Sequence, residues 1–203
     1  MKSLRIYPDN INDRFISEAV EALRAGKLII YPTDTLYAIG CNALNNNAIE
    51  RICSLKGINP QKQFLSIVCS DLSQSSEYAR IDNKAFKMLR DNLPGAFTFI
   101  LPASTSLPKI FKGRKTVGVR IPDNKIAREL ARELGNPILS TSIEWNPEVE
   151  AEAIEPDEIS LRYSSSIDIM INGGKGDITP STIVDLTDSS SPEITREGKG
   201  TLL

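Results

Sequence analysis

Histidine is absent from this chain of 203 residues. Its absence excludes catalysis by Ser-His-Asp or Cys-His groups, zinc sites built on imidazole, and acid–base chemistry by imidazole. Any catalytic chemistry must therefore come from carboxylates, lysine, arginine, hydroxyl groups, backbone amides or a metal ion held by oxygen ligands.

Cysteine is scarce, with only Cys41, Cys53 and Cys69. Their spacing forms no Cys-x-x-Cys pair, and their number is odd. Cys53 and Cys69 lie within apolar segments, which is typical of reduced thiols in the core of a cytosolic protein. The alternative is that one of the three is a reactive thiol.

Long hydrophobic runs are also missing, and the first ten residues contain no apolar signal region. We therefore expect a soluble cytoplasmic protein with no membrane partner. Hydrophobic residues make up 40% and charged residues 25%, which excludes disorder, collagen and coiled coil as overall descriptions. The net charge of -2 excludes a uniformly basic nucleic-acid binder. The length predicts one domain over 1–203, and the oligomeric state stays open.

Helical spacing of apolar residues, with capping residues at the start and glycine or proline at the end, predicts four helices. They span 12–26, 45–57, 82–93 and 123–135. Asn12 or Asp13 is expected to cap the first helix, one of the asparagines at 45–47 the second, and Asp123 the last. Short apolar segments predict strands at 28–31, 64–69, 97–101, 116–121, 138–141, 167–171, 182–186 and 193–195. Because strands and helices alternate while the last segments run strand to strand, we predict an α/β domain with a mixed sheet of unspecified strand order.

Charge is segregated along the chain. Residues 109–128 contain seven cations and one carboxylate, whereas 144–158 contain seven carboxylates and no cation. Such segregation can direct an anionic ligand to one side of the molecule, although both runs could simply be solvated faces.

Two loops after predicted strands contain groups suited to ligand binding. Residues 31–37 include Thr33, Asp34 and Thr35, which could contact a ligand or form a turn that satisfies its own backbone. Residues 171–176 are glycine-rich and include Lys175, so they could hold an anion or form an ordinary turn. The second loop lacks the Walker A pattern.

Polar groups at other strand ends point to the same chemistry. Arg120 lies in an apolar strand and needs an anionic ligand or a carboxylate partner, because burying an unpaired guanidinium is costly. Lys56 and Lys62 flank the turn after the second helix, and hydroxyl groups fill 140–142. Together these groups predict one shared crevice for a phosphate group or a nucleotide.

Eight segments, in this order, resemble the YrdC/YciO family over about residues 15–200. They are 31–40 (YPTDTLYAIG), 55–57 (LKG), 94–101 (PGAFTFIL), 116–122 (TVGVRIP), 137–142 (PILSTS), 172–174 (NGG), 181–186 (STIVDL) and 196–198 (REG). The resemblance implies a twisted α/β fold with a concave, positively charged face and a link to double-stranded RNA.

YrdC-type members make threonylcarbamoyl-adenylate from threonine, bicarbonate and ATP with magnesium, for threonylcarbamoyladenosine modification of tRNA. The resemblance therefore implies ATP or AMP as the bound nucleotide, Mg²⁺ accompanying ATP, and double-stranded RNA or tRNA as a partner. It implies no tightly bound cofactor, and we expect no metal site built from protein side chains.

Individual positions match the site of the family. Thr33 and Thr35 match hydroxyl groups near the amino-acid pocket, and Arg120 matches an arginine near the threonine carboxylate. Lys56 matches the lysine of a Lys-x-Arg motif, and Lys62 matches a polar position shortly after it.

Three further positions complete the match. Ser142 matches the serine of a Ser-x-Asn motif, and Ser181 and Arg196 match residues on the nucleotide side. The resemblance thus gives Lys56, Arg120 and Ser142 as the candidate catalytic residues.

Both motifs are incomplete in this chain, because Ile58 replaces the arginine and Glu144 replaces the asparagine. A third departure is Ala96, where many YrdC members have a second proline. Loss of the arginine removes a charge-assisted contact worth roughly 1.5–3 kcal/mol. Glu144 repels a triphosphate unless magnesium bridges the two. These departures are typical of the YciO branch.

Three functional hypotheses follow. The first is a YciO-like protein that keeps the anion crevice and an RNA face but has weak or no synthase activity. The second is an active synthase in which Glu144 holds magnesium and Lys56 alone contacts phosphate. The third is a non-catalytic RNA-binding module. The candidate RNA contacts are Lys109, Lys112, Arg114 and Lys115.

Overall fold

The computed structural model describes residues 1–60, 63, 65–111, 115–144 and 154–203. The helices are α1 (Asp13–Arg24), α2 (Asn46–Lys56), α3 (Leu72–Tyr78), α4 (Asn83–Asn92), α5 (Lys125–Leu134) and α6 (Pro156–Tyr163), with a 3-10 turn at Lys109–Phe111. The strands are β1 (Lys2–Arg5), β2 (Ile29–Tyr31), β3 (Ala38–Asn42), β4 (Ser66–Val68), β5 (Phe97–Pro102), β6 (Thr116–Arg120), β7 (Ile138–Ser142), β8 (Ile169–Asn172), β9 (Thr182–Asp185) and β10 (Glu193–Arg196).

All ten strands form one sheet in the order β1-β8-β2-β3-β7-β4-β6-β5-β9-β10. Four neighbouring pairs are parallel, namely β1/β8, β2/β8, β4/β6 and β5/β9. The other five pairs are antiparallel. The predicted α/β class with a mixed sheet is therefore confirmed.

Two hydrophobic clusters cover the two faces of the sheet. Ile29 and Tyr31 of β2 pack with apolar residues of α1 and α5, whereas Ile30 packs into the cluster that contains residues of α2, α4 and α6. Successive side chains of a strand point to opposite faces, so a strand covered on both sides must be apolar at every position. This explains why β2 appears in the sequence as a short, continuous apolar segment.

Helix ends follow the predicted capping residues with one correction. Asn12 accepts hydrogen bonds from the first turn of α1, Asn45 caps α2, and Asp82 caps α4. The cap of α5 is Asn124, whose Oδ1 accepts the Ala127 amide, and not Asp123 as the sequence had suggested. Asp123 lies one residue before the cap, and its carboxylate pairs with Arg128 instead.

Four elements were absent from the sequence-based prediction, namely β1, β3, α3 and α6. Strand β3 contains Gly40 and Asn42, which favour loops over strands, and α3 is largely polar. Helix α6 lies in the acidic run. Asp157 and Glu158 are in its first turn, where their negative charges interact favourably with the positive end of the helix dipole. The described part of the acidic run thus has a structural role at this helix.

The three cysteines are buried and free, as predicted. Burial raises the pKa of the Cys41 thiol to about 12 and also raises the pKa values of Cys53 and Cys69. The thiols therefore stay protonated near neutral pH, which does not support the reactive-thiol alternative. No helix in the described ranges is long and apolar enough to cross a membrane.

Candidate active site

A cavity of about 190 Å³ opens at one end of the sheet. Its walls come from the loop after β2, the end of α2, and strands or strand ends of β4, β5, β6, β7, β9 and β10. The polar wall residues are Thr35, Ser66, Thr98, Arg120, Ser140, Thr141, Ser142, Ser181 and Arg196. Apolar walls are formed by Leu36, Ile52, Ile58, Leu65, Leu139, Pro180 and Ile183. We call this space the anion cavity.

Arg120, the last residue of β6, lies in the wall of the anion cavity and is 9% exposed. Its Nη2 donates to Thr35 Oγ1 at 2.9 Å and to Asp34 Oδ1 at 3.3 Å. Its Nε is the one buried side-chain polar atom without a hydrogen-bond partner in the described part of the chain. The sequence left a ligand and a structural ion pair as alternatives for Arg120, and the structure shows the ion pair at the cavity wall.

A second guanidinium lies in the same wall. Arg196 Nη2 donates to the Ser181 carbonyl oxygen at 2.7 Å and to Ser181 Oγ at 3.2 Å. Desolvation and the positive charge of Arg120 both lower the pKa of Arg196. Among the described residues, Arg196 has no carboxylate partner. The cavity wall therefore has one positive charge that protein carboxylates do not neutralise, which favours an anionic ligand.

The loop at 32–37 satisfies its own backbone. Thr33 Oγ1 accepts the Thr35 amide at 3.0 Å and donates to the Leu36 carbonyl oxygen at 2.7 Å. Thr33 does not line the anion cavity, whereas Thr35 does. The two interpretations of this loop thus apply to different residues, because Thr33 forms the turn and Thr35 supplies the cavity hydroxyl.

Lys56 does not line the anion cavity, although it lies between the two wall residues Ile52 and Ile58 in the chain. Its Nζ is 3.4 Å from Glu144 Oε1, and the side chains of Lys56 and Glu144 are 12% and 72% exposed, respectively. Ser142 is exposed and lies in the wall. The lysine of the predicted crevice is therefore bound to a carboxylate at its edge.

The glycine-rich loop at 172–176 forms a turn. The Gly173 amide donates to Tyr37 Oη, the Gly174 amide to Asn172 Oδ1 and the Gly176 amide to the Ile154 carbonyl oxygen. Lys175 pairs with Glu155 at 3.2 Å. Because protein acceptors occupy these amides and the lysine has an acidic partner, the loop is not the anion cradle considered from the sequence.

The predicted RNA contacts are only partly described. Lys112 and Arg114 lie outside the described residues, as does the side chain of Lys109, while Lys115 is exposed. Lys62, which was predicted for the nucleotide crevice, also lies outside the described residues. Within the basic stretch, Arg120 turns into the anion cavity and Arg128 donates to the Pro122 carbonyl oxygen at 2.6 Å. Two of the cations counted in the sequence are therefore engaged inside the protein.

A wider cleft of about 740 Å³ adjoins the anion cavity and shares Ile58 with it. The other residues that line it come from α2, the turn that follows it and the 3-10 turn, and are Glu50, Cys53, Ser54, Gly57, Asn59, Pro60 and Ile110. We call this space the outer cleft. Ile58 is thus a wall residue of both spaces.

Sequence reasoning missed several wall residues. Thr98 lies between Phe97 and Phe99 in β5, and its hydroxyl is 2.9 Å from Ser181 Oγ. A polar residue alternating with apolar ones in a strand is a signal that could have revealed it. Ser66 lies next to Gly118 of β6, where a Cβ atom would be 2.6 Å from Ser66 Oγ. Such a close approach depends on strand pairing and has no signal in the sequence.

The chain belongs to the Sua5/YciO/YrdC family, because the family model Sua5_yciO_yrdC, described as telomere recombination, matches residues 21–198. It is similar to YciO of Escherichia coli strain K12, with 42% identity over 197 residues that cover 96% of this chain and 94% of the relative. The crystal structure of E. coli YciO has a TM-score of 0.88 and 40% identity, covering 99% of this chain and 98% of that chain.

Two more distant relatives carry functional names. Threonylcarbamoyl-AMP synthase of Vibrio vulnificus strain YJ016 is 28% identical over 188 residues, covering 90% of this chain and 98% of the relative. The crystal structure of P. abyssi Sua5 complexed with L-threonine has a TM-score of 0.85 and 28% identity. That match covers 98% of this chain and 58% of the other chain. The predicted family and fold are confirmed.

Proposed function

We propose that this protein binds a nucleotide or a small anion in the anion cavity and the adjoining outer cleft. The observation that carries the proposal is the pair of guanidinium groups, Arg120 and Arg196, in one cavity wall with only one carboxylate partner among the described residues. Hydroxyl groups of Thr35, Ser142 and Ser181 supply further donors next to them. A relative that is a threonylcarbamoyl-AMP synthase supports a nucleotide and an amino acid as the ligand class.

The sizes of the two spaces suit different parts of such a ligand. About 190 Å³ accommodates one phosphate group or a small amino acid, but it lies below the ~300–1,000 Å³ of pockets for whole drug-sized ligands. The outer cleft of about 740 Å³ is largely open to solvent, and a nucleoside would lie along its wall rather than inside an enclosed pocket. We therefore propose that the anionic group lies in the anion cavity and the nucleoside lies in the outer cleft, on the other side of Ile58.

A thermal melt tests nucleotide binding directly. A ligand present at about 100 times its dissociation constant adds ~2.7 kcal/mol of stability, which raises the melting temperature by several degrees. We expect this rise with millimolar AMP or ATP, and a melting temperature that does not change with either, with or without Mg²⁺, would contradict nucleotide binding.

Synthase activity in this protein is proposed to be weak or absent. The Glu144 carboxylate pairs with the Lys56 ammonium. Ile58 forms an apolar wall at the position where the family resemblance implies a cation. The competing hypothesis is an active synthase in which Glu144 holds Mg²⁺ and Lys56 alone contacts phosphate. That hypothesis needs only Glu144 as a protein ligand, with ATP supplying the other oxygen ligands of the ion.

The decisive measurement is pyrophosphate release from ATP that requires both threonine and bicarbonate. We expect release far slower than that of a relative with both motifs intact, and an increase in the double variant Ile58→Arg/Glu144→Asn that exceeds either single change. The control pair Ile178→Arg/Glu18→Asn makes the same changes outside the cavity. Turnover by the unmodified protein as fast as that of an intact relative would favour the active-synthase hypothesis.

We also propose that double-stranded RNA binds the surface that carries the basic stretch. The exposed Lys115 and Lys125 lie in this stretch, which contains seven cations and one carboxylate. Phosphate contacts without base readout lose affinity steeply with salt, with a slope of about −0.9 per phosphate on B-DNA. Changing Lys112, Arg114 and Lys115 together to Glu should weaken binding and flatten that slope while nucleotide binding survives. An RNA affinity that changes neither with salt concentration nor in this triple variant would contradict RNA binding by the basic stretch.

A further inference from the structure

Lys56 and Glu144 join two segments that both border the anion cavity. Lys56 is the last residue of α2, and Glu144 follows two residues after the wall residue Ser142. The Glu144 backbone is held by α6, because its amide donates to Tyr163 Oη at 3.0 Å and its carbonyl oxygen accepts from Arg162 at 2.9 Å. The backbone of Glu144 is therefore anchored, and its carboxylate, 72% exposed, reaches Lys56 from the solvent side.

The cations near the anion cavity differ in what neutralises them. Arg120 pairs with Asp34, and Lys56 pairs with Glu144. Arg196 contacts only neutral oxygen atoms of Ser181. One positive charge is thus left for a ligand, and the volume of about 190 Å³ encloses one phosphate or carboxylate group.

A polyphosphate chain is larger than the anion cavity of about 190 Å³ and carries more negative charge than the unpaired Arg196 can balance. Phosphate groups beyond the first must leave the cavity and need a further cation, which Ile58 does not supply. Two lysines of the described residues lie beside the cavity wall, and each already has a carboxylate partner. Asp177 pairs with Lys199, and Glu144 pairs with Lys56 on the side of Ile58. A second phosphate group there would displace a carboxylate and meet its negative charge.

We infer that Glu144 is a specificity residue that restricts the anion cavity to ligands with one anionic group, such as a nucleoside monophosphate, and disfavours polyphosphates. The inference rests on the proposed anion-binding function and narrows its substrate class. Glu144 acts through Lys56, so the two residues must show coupled effects.

The test compares inorganic phosphate, pyrophosphate and tripolyphosphate by calorimetry at low ionic strength without Mg²⁺. We expect the unmodified protein to bind tripolyphosphate no more tightly than phosphate. Glu144→Gln should tighten tripolyphosphate binding about tenfold, the scale of one charge-assisted contact, and phosphate binding less than about twofold. Glu18→Gln is the matched control, because Glu18 also pairs with a lysine, Lys2, but lies on α1 outside the cavity.

Two further measurements isolate the mechanism. Glu144→Gln combined with Lys56→Gln should lose the tenfold gain, because no cation is left to release. Repeating the titrations with Mg²⁺ tests the opposite role, since a carboxylate that holds the ion would make Glu144→Gln weaken Mg²⁺–tripolyphosphate binding. That weakening would overturn the inference, as would a gain that survives in the double variant.

The remaining outcomes separate the inference from the proposed function. AMP binding by the unmodified protein, with no change in the tripolyphosphate-to-phosphate affinity ratio in Glu144→Gln, overturns the specificity role alone. If the unmodified protein binds neither phosphate nor AMP while Glu144→Gln binds tripolyphosphate, the specificity role is supported and anion binding by the unmodified protein is contradicted. Absence of binding for every anion in every variant overturns both.

Discussion

Two ion pairs beside one cavity differ in their access to water. Arg120 and Asp34 are 3.3 Å apart with side-chain exposures of 10% and 9%, whereas Lys56 and Glu144 are 3.4 Å apart with exposures of 12% and 72%. The distances are nearly equal, so burial decides what each pair does. Breaking a buried pair is expected to destabilise the fold strongly, because the remaining partner becomes a buried, unpaired charge. A half-exposed pair contributes little to stability, and its main effect is on the charge available to a ligand.

The largest expected effect is on the buried pair. Asp34→Ala leaves Arg120 without its carboxylate and removes the acceptor of the Asp123 amide. We expect a loss of about 3–5 kcal/mol in the free energy of unfolding, measured by urea denaturation. Asp123→Ala is the matched control, because Asp123 pairs with Arg128 at 3.2 Å but is 73% exposed. Equal losses of unfolding free energy in Asp34→Ala and Asp123→Ala would show that burial does not distinguish the two ion pairs.

An intermediate effect is expected at Arg196, the cation without a carboxylate. Arg196→Gln should lower phosphate affinity about tenfold or more, because it removes the one uncompensated charge that a ligand can use. The readout is calorimetric titration with phosphate. Arg24→Gln, at an arginine paired with Glu21 on α1, should leave the affinity unchanged. Unchanged phosphate binding in Arg196→Gln would show that the charge balance of the cavity does not govern its ligand.

The smallest expected effect is the loss of protein stability when the half-exposed pair of Lys56 and Glu144 is broken. Glu144→Gln should lower the free energy of unfolding by about 1 kcal/mol or less, the range of exposed ion pairs, because the carboxylate that is removed is 72% exposed even though Lys56 is not. The same urea measurement gives the result, with Glu21→Gln as a reference for a pair in which both side chains are more than half exposed. A loss near that of Asp34→Ala would make Glu144 a structural residue and contradict the comparison.

The two pairs also mark the limit of what the sequence could predict. Arg120 was predictable as a strand-borne arginine that needs an anionic partner, but Asp34 lies 86 positions away along the chain. Glu144 was recognisable as a departure from a family motif, yet its contact with Lys56 spans 88 positions. Contacts of this length depend on strand order, which local patterns of polarity do not specify.

Local signals predicted the fold better than they predicted the site. The capping residues Asn12, Asn45 and Asp82 mark helix starts because the cap chemistry is contained within one turn. Strand β3 went unpredicted, since its five residues are held between β2 and β7 in the sheet. The sequence left an anion site and an ordinary turn as alternatives for the glycine-rich loop. Local residues could not decide between them, because the loop amides find partners in Tyr37 and Ile154 that lie far away in sequence.

The anion cavity takes its walls from residue 35 through to residue 196, across strands that are distant in the chain. Such a binding site has a high contact order and exists only once nearly the whole sheet has assembled. A ligand held there is therefore linked to global unfolding more than to the opening of any single segment, and it should delay amide hydrogen exchange across the entire protein. A fragment that ends before β9 would lack Ser181 and Arg196 and lose the site altogether.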